Sequence, residues 1–292
     1  MGELQDRMVR DMMVRNLTPN TIEAYVHHVR ELAKHYMRAP DVLLDEEIRA
    51  YQYHLLHERR AATSTCSQAR CALIFFYRYT APRPNIEAIL PAFRVSNRLP
   101  ELLGRGEVER ILEAAGNPRN RLILMFAYGS GVRLSEIVHV RLSDLDLERR
   151  MIRVEQGKGR KDRYTVLPCR IADALDQYVA RYAVGDSPWL FPARRDRSRP
   201  MDKSMVQKAY NKARQGAGVS KRGGIHLLRH AFATHALEDG MDLPTLSRML
   251  GHRHVTTTMR YLHLTEKRIG SRVSPLDRLT LDCAPPSDRS PE

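Results

Sequence analysis

No stretch of this 292-residue chain approaches the roughly 18 apolar residues of a membrane-spanning helix, so no span is expected. The opening MGELQDRMVRDMM is charged and lacks the apolar core of a secretory signal. Cysteine is scarce, and Cys66, Cys71, Cys169 and Cys283 form no Cys-x-x-Cys pair. They read as reduced thiols of a cytoplasmic protein rather than a disulfide framework. Acidic residues are in deficit: 34 Asp and Glu face 48 Lys and Arg, a formal net charge of +14. That imbalance points to a polyanionic partner. It is also uneven, because the first 98 residues hold 14 basic and 11 acidic residues, leaving +11 of the +14 to the remainder.

The chain is long enough for two domains. Thr18-Pro19 reads as a helix start, a capping hydroxyl before a first-turn proline. Ile22, Tyr25, Val26, Val29, Leu32, Ala33 and Tyr36 then recur at helical spacing. Asp45 caps a second helix to about Glu58, and Ser64 or Thr65 opens a third, ended by Pro82 and Pro84. A short helix follows near residues 86–90. Residues 1–90 thus form a small helical domain whose aromatic residues serve its core. The proline-bounded PAFRVSNRLP, residues 91–100, reads as a linker.

The second domain, residues 101–270, opens on an amphipathic helix from Arg105 to Ala115 and a buried one across RLILMFAY. Gly129 and Gly131 break that helix and place Arg133 at the start of the next, beside free backbone N–H groups that attract anions. The GSGVRL run lacks the third glycine of a dinucleotide fingerprint. MIRVE and RYTVL read as two strands joined by the turn QGKGRKD. In and beside that turn Arg160, Lys161 and Arg163 suit contacts to a phosphate backbone. Residues 171–183 form an amphipathic helix, and the five basic residues from Arg194 to Lys203 face either DNA or only solvent. Residues 271–292 form a tail.

Residues 225–264 are IHLLRHAFATHALEDGMDLPTLSRMLGHRHVTTTMRYLHL and hold six of the twelve histidines. His226 and Arg229 lie three apart on one helical face, with His230 pointing elsewhere. Asp239-Gly240 ends that helix, Asp242 caps a second with Pro244 in its first turn, and Gly251 stops it. His252 follows at the helix end, and the run Thr256-Thr257-Thr258 offers a cap for a last helix carrying Tyr261. Arginine presents a fork of donors matched to phosphate oxygens. A tyrosine hydroxyl is a weak nucleophile at its free pKa of roughly 10, and neighbouring cations favour its phenolate. A nest of Arg and His can therefore hold a phosphodiester and activate Tyr261 against it. Any one of these histidines alone would pass for a surface residue; the ordered set would not.

On those residues the chain resembles the tyrosine recombinases, which include phage integrases, Xer-type recombinases and integron integrases. His226, Arg229 and His230 meet the family's His-x-x-Arg-His, Leu250-Gly251-His252 meets its Leu-Gly-His, and Tyr261 its nucleophile. The resemblance implies that Arg133, in its Gly-x-Arg-x-x-Glu context, is the first catalytic arginine and that Glu136 braces the site. It implies a catalytic lysine in the hairpin, assigned to Lys158 between two glycines, with Lys161 as the rival. No long insertion of the integron-integrase kind precedes His226.

The resemblance implies a mostly α fold with a small antiparallel sheet: a helical core-binding (SAM-like) domain plus an α+β catalytic domain, the two closing on double-stranded DNA as a clamp. Its expected activity is site-specific recombination through a 3′-phosphotyrosyl intermediate and a Holliday junction, by a homotetramer on two duplexes, with room for accessory proteins. Arg133 and Arg229 would clamp the scissile phosphate, His226 and His252 would help bind it and move protons, Tyr261 would attack, and Lys158 would protonate the leaving oxygen. The covalent link conserves the phosphodiester energy, so no cofactor is expected. The alternatives are a type IB topoisomerase-like enzyme and a non-catalytic DNA-binding protein. A zinc site is weaker, since the cluster has neither His-Glu-x-x-His nor nearby cysteines.

Overall fold

The computed structural model describes residues 2–93, 101–155, 162–182, 187–252, 254–259 and 261–262. The chain divides into two compact units, Met1–Leu99 and Pro100–Glu292. Most of the linker and the whole of the C-terminal tail expected from the sequence lie outside the described residues.

The first unit is all helical: α1 Gly2–Val14, α2 Pro19–Tyr36, α3 Asp45–Tyr53, α4 Thr63–Phe75 and the short α5 Ile86–Ile89. Thr18 caps α2 as its sequence requires, its hydroxyl accepting from the Thr21 N–H at 3.3 Å. At α3 the capping differs from the expectation. Glu47, not Asp45, reaches back to the Leu44 N–H at 2.7 Å. One wider turn extends α3 through His54–Glu58, and another extends α4 through Phe76–Thr80.

Helix α2 packs on α4 through Val26, Val29 and Leu32 against Cys66, Ala69 and Leu73. Helix α1 was not expected from the sequence. Five of its thirteen residues are charged, and only Met8 and Met12, four apart, are buried in the core. Asp11 then ties it to the end of the α4 extension, accepting from the Thr80 hydroxyl at 2.8 Å. Fully buried Tyr77 donates to the Pro40 carbonyl at 2.6 Å.

The second unit contains α6 Arg105–Glu113, α7 Pro118–Gly129, α8 Leu134–His139, then β1 Leu145–Asp146, β2 Met151–Val154 and β3 Arg163–Val166. These are followed by α9 Cys169–Tyr182, α10 Lys203–Gly216, α11 His226–Glu238, α12 Leu243–Leu250 and α13 Val255–Met259. The sheet is antiparallel in the order β1-β2-β3, with Leu145 opposite Ile152 and Val154 opposite Arg163. Strand β1 goes beyond the two strands expected; two residues are too few to show an alternation. Helix α7 is the hub: Leu122, Ile123, Leu124, Phe126 and Ala127 are buried where α6, α9, α10 and α11 pack round it. Helix α12 lies against β3 and α11. The fold class is that expected, mostly α with one small antiparallel sheet. Among the described residues no helix is long and apolar enough to cross a membrane.

Replacing Tyr77 with Phe leaves the buried Pro40 carbonyl only the long 3.5 Å bond from the Leu43 N–H. The loss should be about 1–3 kcal/mol in urea unfolding. An unchanged midpoint would mean that this bond does not hold the first unit together.

Candidate active site

The site is assembled where the α7–α8 turn, the end of α12 and the start of α11 converge. Gly131 makes the first turn possible. Its φ is +62°, and a Cβ there would stand 2.3 Å from the Phe232 ring of α11. Its carbonyl accepts from Arg229 Nη1 at 2.6 Å. Arg133 then precedes α8, but its backbone N–H is not open to an anion as expected from the sequence: it donates to Glu136 Oε2 at 2.7 Å. The Arg133 guanidinium donates to Glu136 Oε1 and to the Gly251 carbonyl, each at 2.8 Å.

Glu136 braces the site, as expected, but it braces two arginines. Arg163 is no surface contact for a phosphate backbone. It is 8% exposed and meets Glu136 with both terminal nitrogens, at 2.9 and 2.7 Å. Its Nε donates to the Met249 carbonyl at 2.8 Å. The position on β3 explains the difference: Val154, opposite it, is buried, and the β3 face that carries Arg163 is turned inward. Gly251, φ +63°, completes this contact, because a Cβ would come within 2.8 Å of Arg163 Cδ. Burial works against ionisation of Glu136, yet the hydrogen bonds and charge of Arg163, joined by Arg133, outweigh it and hold the carboxyl down to about 2.

Arg229 is 6% exposed and is held by carbonyls rather than by a carboxylate: Gly131 on one side and Leu250, at 2.7 Å, on the other. Burial first, and Arg133 second, lower its pKa to about 10, so it remains a cation at neutral pH. Its Nη2 also lies 3.1 Å from His252 Nε2. Arginine can only donate, so His252 Nε2 accepts, and Nδ1 carries the proton toward the Thr258 hydroxyl at 2.7 Å. Burial and the charge of Arg229 lower the His252 pKa to about 4, in keeping with that neutral tautomer. Thr258 is fully buried inside α13, whose first residue is Val255, so it orients His252 instead of capping the helix.

Tyr261 follows α13 and is 5% exposed, packed with Ala233, Ala236, Leu237, Leu246 and Leu250. Its ring stacks on that of His252, 6.5 Å between centroids and 12° from parallel. Its hydroxyl lies 2.7 Å from His230 Nδ1. This corrects the expectation that His230 points away from the site. Residues 229 and 230 do diverge by roughly 100° around the helix, and His230 falls on the His226 side, four residues on. The chain brings Tyr261 round to meet it there. His226 is exposed at the first position of α11; desolvation, then Arg229 and Arg133, lower its pKa.

The structure therefore brings together Arg133, Arg229, His252 and Tyr261, with His226 at the mouth. Lys158, its rival Lys161 and Arg160 lie outside the described residues. Of the basic loop, Arg197 donates to the Tyr182 carbonyl and Arg199 pairs with Asp196 at 3.3 Å. Sequence reasoning missed three contributors: Arg163, Thr258 and His230. Only His230 had a signal, its place in the His-x-x-Arg-His run. Arg133 and Arg163 share the one carboxylate, Glu136, and Arg229 adds a third guanidinium, a surplus of two positive charges among the described residues of the pocket. The described bonds leave donors of Arg133 and Arg229 for an incoming anion. Such a pocket can hold a phosphodiester beside a tyrosine hydroxyl.

Residues 101–268 match the phage integrase family, and residues 4–87 match the phage integrase N-terminal SAM-like domain. The chain is 36% identical to the putative integrase/recombinase y4qK of Sinorhizobium fredii, covering all of this chain and 94% of that one. It is 31% identical to the tyrosine recombinase XerA of Thermococcus onnurineus, over 86% of this chain and 87% of the relative. Its fold is similar to that of a lambda integrase tetramer bound to a Holliday junction, with a TM-score of 0.71 at 20% identity, covering 89% of this chain and 76% of that one.

Substituting Glu136 with Gln leaves Arg163 buried without its anion and should cost about 3–5 kcal/mol at neutral pH. The Glu136 carboxyl is depressed from 4.5 to about 2, so its contribution is complete above pH 4.5 and fades as pH falls toward 2. Melting temperatures of the two proteins should converge between pH 7 and pH 3. A gap that stays constant over that range would rule out this carboxylate as a pH-dependent brace.

Proposed function

The chain belongs to the phage integrase family and is a tyrosine-type site-specific recombinase; from that premise we propose which residues cut and rejoin its DNA. Arg133 and Arg229 clamp the non-bridging oxygens of the scissile phosphate. The observation that carries this assignment is their convergence on one turn: Arg133 binds the Gly251 carbonyl, Arg229 the Leu250 carbonyl, and His252 follows at once. Their charge stabilises the pentacoordinate phosphorus as negative charge builds on it. His252 Nε2, an acceptor from Arg229 at rest, and His226 at the mouth complete the phosphate site and assist proton movement.

Tyr261 is the nucleophile. Its oxygen bonds to phosphorus, the bond to the 5′-oxygen breaks, and a 3′-phosphotyrosyl link results. Lys158 protonates the leaving 5′-oxygen, a role supported by its Gly-Lys-Gly setting in the sequence. A 5′-hydroxyl from the partner duplex then reverses the step, and strands exchange through a Holliday junction. The exchange conserves phosphodiester energy and takes no cofactor.

The helical first unit grips the far side of the duplex, and four copies act on two duplexes, as the similarity to the junction-bound tetramer supports. The chain works in the cytoplasm, in keeping with its scattered cysteines and the absence, among the described residues, of a membrane-spanning helix.

Covalent trapping tests this reading. The protein is mixed, in EDTA, with a pool of nicked duplexes tiled across the DNA that flanks its coding sequence, and the products are run on denaturing gels. A protease-sensitive DNA adduct should form with the wild type. Tyr261→Phe should retain duplex binding in a mobility shift and lose the adduct. An adduct that survives in Tyr261→Phe would move the nucleophile elsewhere.

A further inference from the structure

We propose that His230 is the group that takes the proton from the Tyr261 hydroxyl as it attacks phosphorus. This rests on the reading of Tyr261 as nucleophile. Attack by a neutral phenol requires the proton to leave the oxygen as the oxygen–phosphorus bond forms. The geometry supplies an acceptor at the reacting atom, because His230 Nδ1 stands 2.7 Å from that hydroxyl, within direct transfer distance.

The neighbouring histidine is arranged for a different task. His252 spends Nε2 on Arg229 and Nδ1 on Thr258. Its ring lies 12° from parallel to that of Tyr261, with 6.5 Å between centroids. His230 stands with its ring inclined 48° to the phenol and directs a ring nitrogen at the oxygen. Both groups of the pair are anchored. Tyr261 is wedged into its apolar cluster, and His230 is set by α11, whose buried residues run on both sides of it.

The step balances without a co-reactant. The Tyr261 oxygen bonds to phosphorus and its proton passes to His230 Nδ1, giving an imidazolium. The bond from phosphorus to the 5′-oxygen breaks, and that oxygen takes a proton from Lys158. In the return step the 5′-hydroxyl attacks and gives its proton to the Lys158 amine, while the imidazolium hands its proton back to the departing phenolate. One residue thus serves as base in cleavage and acid in rejoining, as a reversible strand exchange requires. The phosphodiester anion carried between Arg133 and Arg229 compensates the transient charge on His230.

The test uses the full chain, the tiled nicked-duplex pool and two variants, His230→Ala and His230→Asn. Asparagine can place an oxygen near the Nδ1 position and keep the hydrogen bond, but it cannot hold the proton. Single-turnover cleavage should fall about 100-fold or more in both variants, with duplex binding unchanged in a mobility shift. A second pool carries sulfur at the 5′-bridging position. A thiolate leaves without a proton, so this substitution should relieve the loss of Lys158 and leave both His230 variants slow. Cleavage by His230→Asn at the wild-type rate would overturn the proposal and leave His230 as a holder of the tyrosine. Restoration of His230→Ala by the sulfur substrate would overturn it in favour of a role at the leaving group. If the wild type forms no adduct that depends on Tyr261, the reading of the nucleophile fails first and takes this proposal with it.

Discussion

One carboxylate organises the second unit's chemistry. Glu136 reaches back along α8 to the Arg133 backbone, holds the Arg133 side chain, and receives Arg163 from the hairpin. Arg133 and Arg163 then grip the Gly251 and Met249 carbonyls at the end of α12, on either side of the Leu250 carbonyl that Arg229 holds. A helix, a strand and a turn are thereby fixed through a single anion. Buried ion pairs offset their desolvation only when geometry and further hydrogen bonds are good, and here both guanidiniums find carbonyls besides the carboxylate. The cost of removing the anion is correspondingly large, because it strands a buried cation rather than merely breaking a contact.

The rest of the pocket is built mainly from backbone oxygens. Carbonyls orient arginines without neutralising them. Arg229 illustrates the point: two carbonyls aim it, its charge survives burial, and the pocket keeps its attraction for an anion. The two glycines with left-handed backbones serve the same end. Gly131 lets one carbonyl approach α11, and Gly251 lets the guanidinium of Arg163 lie against the chain.

Local signals were readable in the sequence wherever one residue's chemistry sufficed. Thr18 before Pro19, Asp242 before Pro244 and Gly251 after α12 all marked helix ends that the structure has. The ordered run of His226, Arg229, His252 and Tyr261 marked the pocket. What escaped were features defined by partners far along the chain. Arg163 reads as one more basic residue after a glycine-containing turn until Glu136, 27 residues earlier, is placed opposite it. Thr258 looks like a capping residue until His252 folds over it. His230 was set aside because helical geometry separates it from Arg229, and that geometry says nothing of a tyrosine arriving 31 residues later. Helix α1 escaped because five charges interrupt its apolar residues and only two methionines are buried.

The apolar cluster around Tyr261 has a mechanical consequence. It comprises Ala233, Ala236, Leu237, Leu246, Leu250 and Tyr261, distinct from the larger core that roots α6 to α10 and takes in Leu227, Leu228 and Ala231 of α11. Local opening costs in proportion to the burial it gives up, so segments with small private cores detach first. Tyr261 is thus moored to five other buried side chains, while Arg133 beside it is fixed to α8, whose Ile137 and Val138 belong to the main core. Releasing the tyrosine gives up its burial in that cluster, its hydrogen bond to His230 and its ring contact with His252. Arg133 and Tyr261 can part company without the domain unfolding.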